Sequence, residues 1–196
     1  TINPTIIFEY VSNGTINQYL CKAKNKSLSN TKKQICMIGI AIGALIMHKK
    51  GIVHLDLKPS NILLDENFYP KIGDFGSAQF LQQQIQKDEK DDDKLDDYFP
   101  SSDVSAPLYT SPEIIKLISF DDKSDVYSYA YILYKIISEV EPRIESSSIL
   151  EMFDLILKGK RPDLSVIQKV QKNINETSLQ IDKLKNLFFT EEDIDD

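Results

Sequence analysis

This chain of 196 residues predicts a mainly helical fold with a few short β elements. Three observations carry that reading. Thr31 to Lys50, Asp122 to Val140 and Ser148 to Leu157 have the length and apolar content of helices. The β-branched and aromatic runs are only a few residues long. The two kinds of segment do not alternate, as a parallel βαβ fold would require.

Taken in order, Thr5 to Val11 (TIIFEYV) reads as a strand that ends in the turn Ser12-Asn13-Gly14. Thr15 to Cys21 forms one short helix. Thr31 to Lys50 forms a longer one, capped by Thr31 and closed by Gly51 after His48, Lys49 and Lys50. Its apolar run, Ile35 to Met47, is shorter than the ~20 residues a bilayer needs, so it predicts a buried core helix. Ile52 to Leu57 is a brief apolar segment ended by Pro59. Ile62 to Asp65 and Lys71 to Gly73 flank a polar turn and predict a hairpin. Little periodicity follows from Gly76 to Ala106. Asp122 to Val140 is too uniformly apolar for a surface helix. Ser148 to Leu157 stops at Gly159 and Pro162. Val166 to Phe189 carries apolar residues at helical spacing before an acidic end, Glu191 to Asp196.

Composition narrows the function classes. The chain is 41% hydrophobic and 27% charged, which suits a packed globular protein and excludes a disordered one. The net charge of −7 argues against a nucleic-acid or anionic-membrane surface. Lys87 to Asp97 holds seven acids against three lysines, and Glu191 to Asp196 holds five more acids. The acidity therefore sits in an insert and a tail, and the remainder is close to neutral. Cys21 and Cys36 have no CxxC or metal-ligand spacing and read as reduced thiols of a cytoplasmic protein. No signal peptide is visible, and the absence of an initiator Met suggests a piece of a longer product.

The chemistry concentrates in Ile52 to Gly76 (IVHLDLKPSNILLDENFYPKIGDFG). Asp56, at the end of a short apolar segment, can orient a hydroxyl. Asn61 and Asp74 supply an amide and a carboxylate, the hard oxygen ligands that Mg²⁺ combines with phosphate and water. Lys58 adds a point charge for a phosphate. These are the parts that phosphoryl transfer needs, since it asks for positioning and charge neutralisation more than covalent chemistry.

In this order and spacing the segment resembles the catalytic core of a eukaryotic protein kinase. His54-Leu55-Asp56-Leu57-Lys58-Pro59-Ser60-Asn61 resembles H-R-D-L-x-x-x-N, and Asp74-Phe75-Gly76 resembles D-F-G. Ser111-Pro112-Glu113 resembles A-P-E, and Asp125-Val126-Tyr127-Ser128 resembles the start of the buried helix of the large lobe. Phe8 to Gly14 resembles the hinge, and Gly159-Lys160-Arg161-Pro162 is similar to a G-x-R-P found in tyrosine-kinase-like enzymes. The similarity covers about Thr5 to Pro162.

The resemblance implies a kinase-like C-terminal lobe and an ATP- and Mg²⁺-dependent serine/threonine protein kinase. Asp56 would accept or orient the substrate hydroxyl, and Lys58 would sit by the γ-phosphate. Asn61 and Asp74 would hold Mg²⁺. Glu9 and Val11 would bond adenine through their backbones, with Phe8 as gatekeeper and Leu63 under the ring. Phe75 and His54 would stack, and Asp125 would hold the catalytic-loop backbone. Lys58 follows the serine/threonine pattern, so the expected partner is a protein with a Ser or Thr hydroxyl, with no nucleic acid and no membrane.

Four departures qualify the resemblance. No small lobe precedes the hinge, so the chain by itself is expected to be inactive. Leu55 replaces an Arg that would receive a loop phosphate, so phosphorylation at Ser101 or Ser102 is not expected to be the on-switch. Ala106 stands where a Thr would orient Asp56 and Lys58, with Ser105 beside it. Glu113 has no evident Arg partner. The expected organisation is a partial kinase domain over 1–164, with an acidic activation-segment insert at about 81–103, and a divergent helix and tail over 165–196. The alternative reading is a non-catalytic, kinase-like scaffold.

Overall fold

The computed structural model describes residues 7–22, 27–81, 106–116 and 120–167. The acidic insert, Ser101, Ser102, Ser105, most of Val166 to Phe189 and the acidic tail lie outside these residues. The chain divides into two units, Thr1–Pro162 and Asp163–Asp196. In the second, Asp163 accepts hydrogen bonds from the Ser165 amide and hydroxyl at 2.8 and 2.6 Å.

The first unit is mainly helical, as its sequence predicts. Helix α1 (Ile16–Lys22) follows the Asn13-Gly14 turn, where Gly14 adopts φ 67°. Helix α2 (Asn30–Lys49) starts one residue before the Thr31 cap expected from sequence. Ser29 is the cap instead. Its backbone is extended and its hydroxyl accepts the Lys32 N–H at 3.4 Å, so an orphan donor of the first turn is satisfied. Gly51 ends the helix at φ 70°. The expectation of a helix buried throughout also needs correction. Cys36, Met37, Ile40 and Met47 are buried, whereas Ile42, Leu45 and Ile46 stay well exposed, because only one stripe of a peripheral helix meets the core. Burial pushes the Cys36 thiol up to about 11, leaving it an inert core group.

Among the described residues, four short strands make two antiparallel pairs. Strand β1 (Ile52–Val53) pairs with β4 (Gln79–Phe80). Strands β2 (Ile62–Leu64) and β3 (Pro70–Ile72) form the expected hairpin, with Ile62 opposite Ile72. Strand β4 falls in the stretch that sequence reads as aperiodic, since two residues are too few to show a period. The strand expected over Thr5 to Val11 does not form over its described part. Ile7 to Val11 has no ladder partner among the described residues, and Phe8 and Tyr10 are 82% and 87% exposed. A β-rich composition cannot make a strand without a neighbour to accept its hydrogen bonds.

Helix α2 lies against the hairpin through two glycines. A Cβ on Gly39 would come within 2.5 Å of the Pro70 ring, and one on Gly43 within 2.9 Å of Ile72. Helix α3 (Pro112–Ile115) is a single turn with Pro at its start. Helix α4 (Asp122–Ser138) runs through the core, burying Tyr131, Ile132 and Ile136 together with the polar Ser124, Asp125, Ser128 and Lys135. Helix α5 (Ile149–Leu157) is capped by Ser148, which accepts the Glu151 N–H at 3.1 Å. The Glu151 carboxylate accepts in return from Ser147, which holds it below the usual carboxylate range. Among the described residues no helix is long and apolar enough to cross a membrane.

Candidate active site

The candidate site is assembled by backbone anchors between β1 and β3. His54 follows β1 and is fully buried, and its Nε2 lies 3.0 Å from the Gly73 carbonyl. Asp125, buried in the first turn of α4, accepts the backbone N–H of His54 at 2.8 Å and of Leu55 at 2.9 Å. The same carboxylate lies 2.8 Å from Nε2 of His48 at the end of α2. Leu55 sits at φ 65°, a left-handed conformation that a branched residue adopts only when its surroundings hold it there. The two hydrogen bonds to Asp125 do so.

The loop then closes on itself around Asp56. Nδ2 of Asn61 donates to both the Asp56 carbonyl and its carboxylate Oδ2, each at 2.9 Å. Nζ of Lys58 lies 3.0 Å from the same Oδ2. The Asn61 amide donates to the Lys58 carbonyl at 2.9 Å, and Gly73 donates to the Asn61 carbonyl at 2.8 Å. Asp56, Lys58 and Asn61 therefore form one cluster, and Asn61 is tied to the residue just before Asp74. Asp74 is exposed and left-handed (φ 60°, ψ 71°), at the start of a 3₁₀ turn over Phe75–Ser77. The Phe75 ring lies 5.1 Å from that of His54, centroid to centroid.

A family model described as "Protein kinase domain" matches residues 2–188. The chain belongs to the protein kinase family. Three curated relatives are similar to this kinase. "Receptor-interacting serine/threonine-protein kinase 1" of Homo sapiens is 30% identical, over 83% of this chain and 24% of its own length. "Serine/threonine-protein kinase atg1" of Dictyostelium discoideum is 33% identical, over 94% of this chain and 26% of its own length. "Dual specificity protein kinase shkB" of the same organism is 31% identical, over 81% of this chain and 23% of its own length. The chain thus spans about a quarter of the length of these relatives.

The segment expected to be the hinge, Phe8 to Gly14, is followed by pairing with the hairpin. Asn13 donates to the Leu64 carbonyl at 3.1 Å, Leu64 donates back to Gly14 at 2.8 Å, and Thr15 bridges Leu63. The Val11 carbonyl accepts the Gly14 N–H at 3.3 Å. The Glu9 carboxylate meets Lys71 of β3 at 2.5 Å, and that hydrogen bond holds the ammonium above its ordinary value. Leu63 is half-buried in β2. Phe8, expected at the back of a pocket, is open to solvent in this structure.

Sequence reasoning left Glu113 without a partner, and the structure supplies one. The Ser124 hydroxyl donates to Glu113 at 3.0 Å, from the turn before Asp125. The Arg161 guanidinium lies 5.4 Å from the ring of nearby Tyr127. Tyr127 and Tyr131 share a hydroxyl hydrogen bond of 3.1 Å, and burial pushes both phenols up. Sequence also gives no sign of the pairing of Lys135 with Glu141, since a lone Lys in an apolar helix carries no motif.

Proposed function

We propose that this chain is the catalytic part of an ATP-dependent protein serine/threonine kinase. The observation that carries the reading is the convergence of Lys58 and Asn61 on one oxygen of Asp56. With Oδ2 held by those two donors, Oδ1 is the atom left to accept the hydroxyl proton of a substrate. The hydroxyl oxygen then bonds to the γ-phosphorus as the bond to the β,γ-bridging oxygen breaks. Lys58 counters the charge that gathers on the transferred group. Lys58 two residues after Asp56 favours a Ser or Thr hydroxyl. Leu55 and Ala106 favour the scaffold reading, but the Asp56–Lys58–Asn61 cluster favours the enzyme.

The donor set fits Mg²⁺. Among the described residues no three His, Cys, Asp or Glu side chains gather, so an all-protein cage is absent. Mg²⁺ instead takes one or two protein ligands and completes its shell with phosphate and water. Both amide protons of Asn61 are directed at Asp56, which leaves its Oδ1 for a cation. A Cβ on Gly76 would stand 3.3 Å from an Asp74 carboxylate oxygen, so glycine keeps that carboxylate uncrowded. Bound there, Mg²⁺ would neutralise phosphate charge. The Glu9 and Val11 backbones would receive adenine over Leu63, and Phe8 would need cover beyond the described residues to form a back wall. The two free thiols, Cys21 and Cys36, suit a cytoplasmic setting.

The test is thermal melting and phosphotransfer with the intact protein. Mg·ATP is expected to raise Tm in the wild type and not in Asp74→Ala, and phosphate is expected on Ser or Thr of a protein substrate. Identical melting with and without Mg·ATP would refute the reading.

A further inference from the structure

Helix α4 buries an ammonium that none of the proposed chemistry uses. Lys135 is 3% exposed in the middle of an apolar helix. Its Nζ donates to Oδ1 of Asn17 at 2.9 Å and pairs with the Glu141 carboxylate. The other Glu141 oxygen accepts the Tyr109 hydroxyl at 3.2 Å. Asn17, at the start of α1, donates its backbone N–H to the Pro59 carbonyl at 3.1 Å.

An unbroken path thus runs from Tyr109 through Glu141, Lys135 and Asn17 to Pro59. One end lies in the 3₁₀ turn Ala106–Tyr109, just ahead of Ser111-Pro112-Glu113. The other lies between Lys58 and Asn61. Stability alone does not account for the pair. Burying the Lys135 ammonium costs several kcal/mol, and well-packed apolar residues commonly serve a core as well or better. What an ion pair adds is a fixed geometry between segments that side chains join along this path, up to the backbone bond from Asn17 to Pro59. Its members come from α1, α4, the loop after α4 and the 3₁₀ turn.

We infer that Lys135 and Glu141 are positioning residues that lock the end of the activation segment to the catalytic loop. Neither is among the residues proposed to meet substrate or nucleotide. They act by holding Asn17 and Tyr109, and through Asn17 the Pro59 peptide that spaces Lys58 from Asn61. Only the kinetic consequence rests on the kinase reading.

The test is site-resolved amide hydrogen exchange on the full chain. Lys135→Met is expected to speed exchange at Asn17 and Asn61 roughly tenfold, the size of one lost charge-assisted hydrogen bond. Thr110, whose amide donates to Pro107, is expected to follow. Core amides of α2 such as Ile40 should keep their wild-type rates, and Lys135→Arg should restore protection. Glu141→Gln, which retains shape and loses charge, provides the same comparison if Lys135→Met does not fold. Wild-type exchange at Asn17, Asn61 and Thr110 in a folded variant would overturn the inference, and so would uniform acceleration that includes Ile40. In the intact enzyme, kcat is expected to fall in Lys135→Met with little change in KM for ATP. Absence of phosphotransfer in the wild type would count against the kinase reading alone, since the exchange result stands without it.

Discussion

The Asp125 carboxylate accepts the amide N–H of His54 at 2.8 Å, linking the buried helix α4 to the loop that carries Asp56. It also accepts from Leu55, whose left-handed backbone it stabilises. Asp125→Ala removes a buried acceptor and leaves both amides without it. The expected cost is about 3 kcal/mol or more, with Asp125→Asn losing less. Urea denaturation measures this, and a cost below about 1 kcal/mol in the alanine variant would contradict the anchoring role.

Gly39→Ala tests close packing against helix propensity. Alanine is the better helix former by about 1 kcal/mol. Here its methyl would meet the Pro70 ring at 2.5 Å, and a proline ring cannot rotate away. A net loss of about 1–3 kcal/mol is expected by thermal melting. A rise in Tm would mean that α2 and β3 separate freely.

Ser111 offers the opposite case. Its hydroxyl is fully buried and, among the described residues, has no hydrogen-bond partner. Ser111→Ala removes an uncompensated polar group at little cost in volume. Stability is expected to stay level or rise by about 1 kcal/mol, and a clear loss in chemical denaturation would reveal a partner for the hydroxyl.

Glu139 predicts a pH dependence. Burial alone would raise its pKa, but hydrogen bonds from Ser27, Lys33 and the Leu28 amide outweigh that and hold it below its ordinary 4.5. A carboxyl lowered in the folded state contributes stability that is full above the unfolded value. That stability is lost as pH falls through the folded value. Between neutral pH and acid, Glu139→Gln is therefore expected to lose less stability than the wild type. Parallel curves of Tm against pH would rule this out.

Lys58→Met addresses the proposed chemistry. Removing a charge aimed at the transferred phosphoryl group is expected to lower kcat by about 10²–10³-fold in the intact protein. Because the ammonium also holds Asp56, a modest change in Tm is expected alongside. Unchanged kcat would place the phosphate charge on another cation.

Much of the fold and site was legible in the sequence. The hairpin, the helices and the grouping of Asp56, Lys58 and Asn61 follow from local signals, since turn residues, caps and apolar periods act over a few positions. The ordered motifs from His54 to Gly76 were sufficient to suggest the family. The cap moved from Thr31 to Ser29 because both residue types can accept the bond, and backbone conformation chose between them. The strand signal of Thr5 to Val11 does not hold over its described part, because strand propensity says nothing about whether a partner strand lies alongside. The partner of Glu113 could not be foreseen, as Ser124 reaches it across a fold contact and not through a motif.

Sequence by itself determined the chemical inventory: an acid, a lysine, an amide and a second acid in fixed order, set in short turns between apolar segments. Local covalent spacing is enough for that. Only the tertiary structure decided which groups touch. It set Asp125 against His54, brought Lys135 to Asn17 and Glu141, and buried the Ser111 hydroxyl with no match among the described residues. Those relations join residues far apart in the chain, and they arise only when burial forces each polar group to find a partner among whatever the fold brings near.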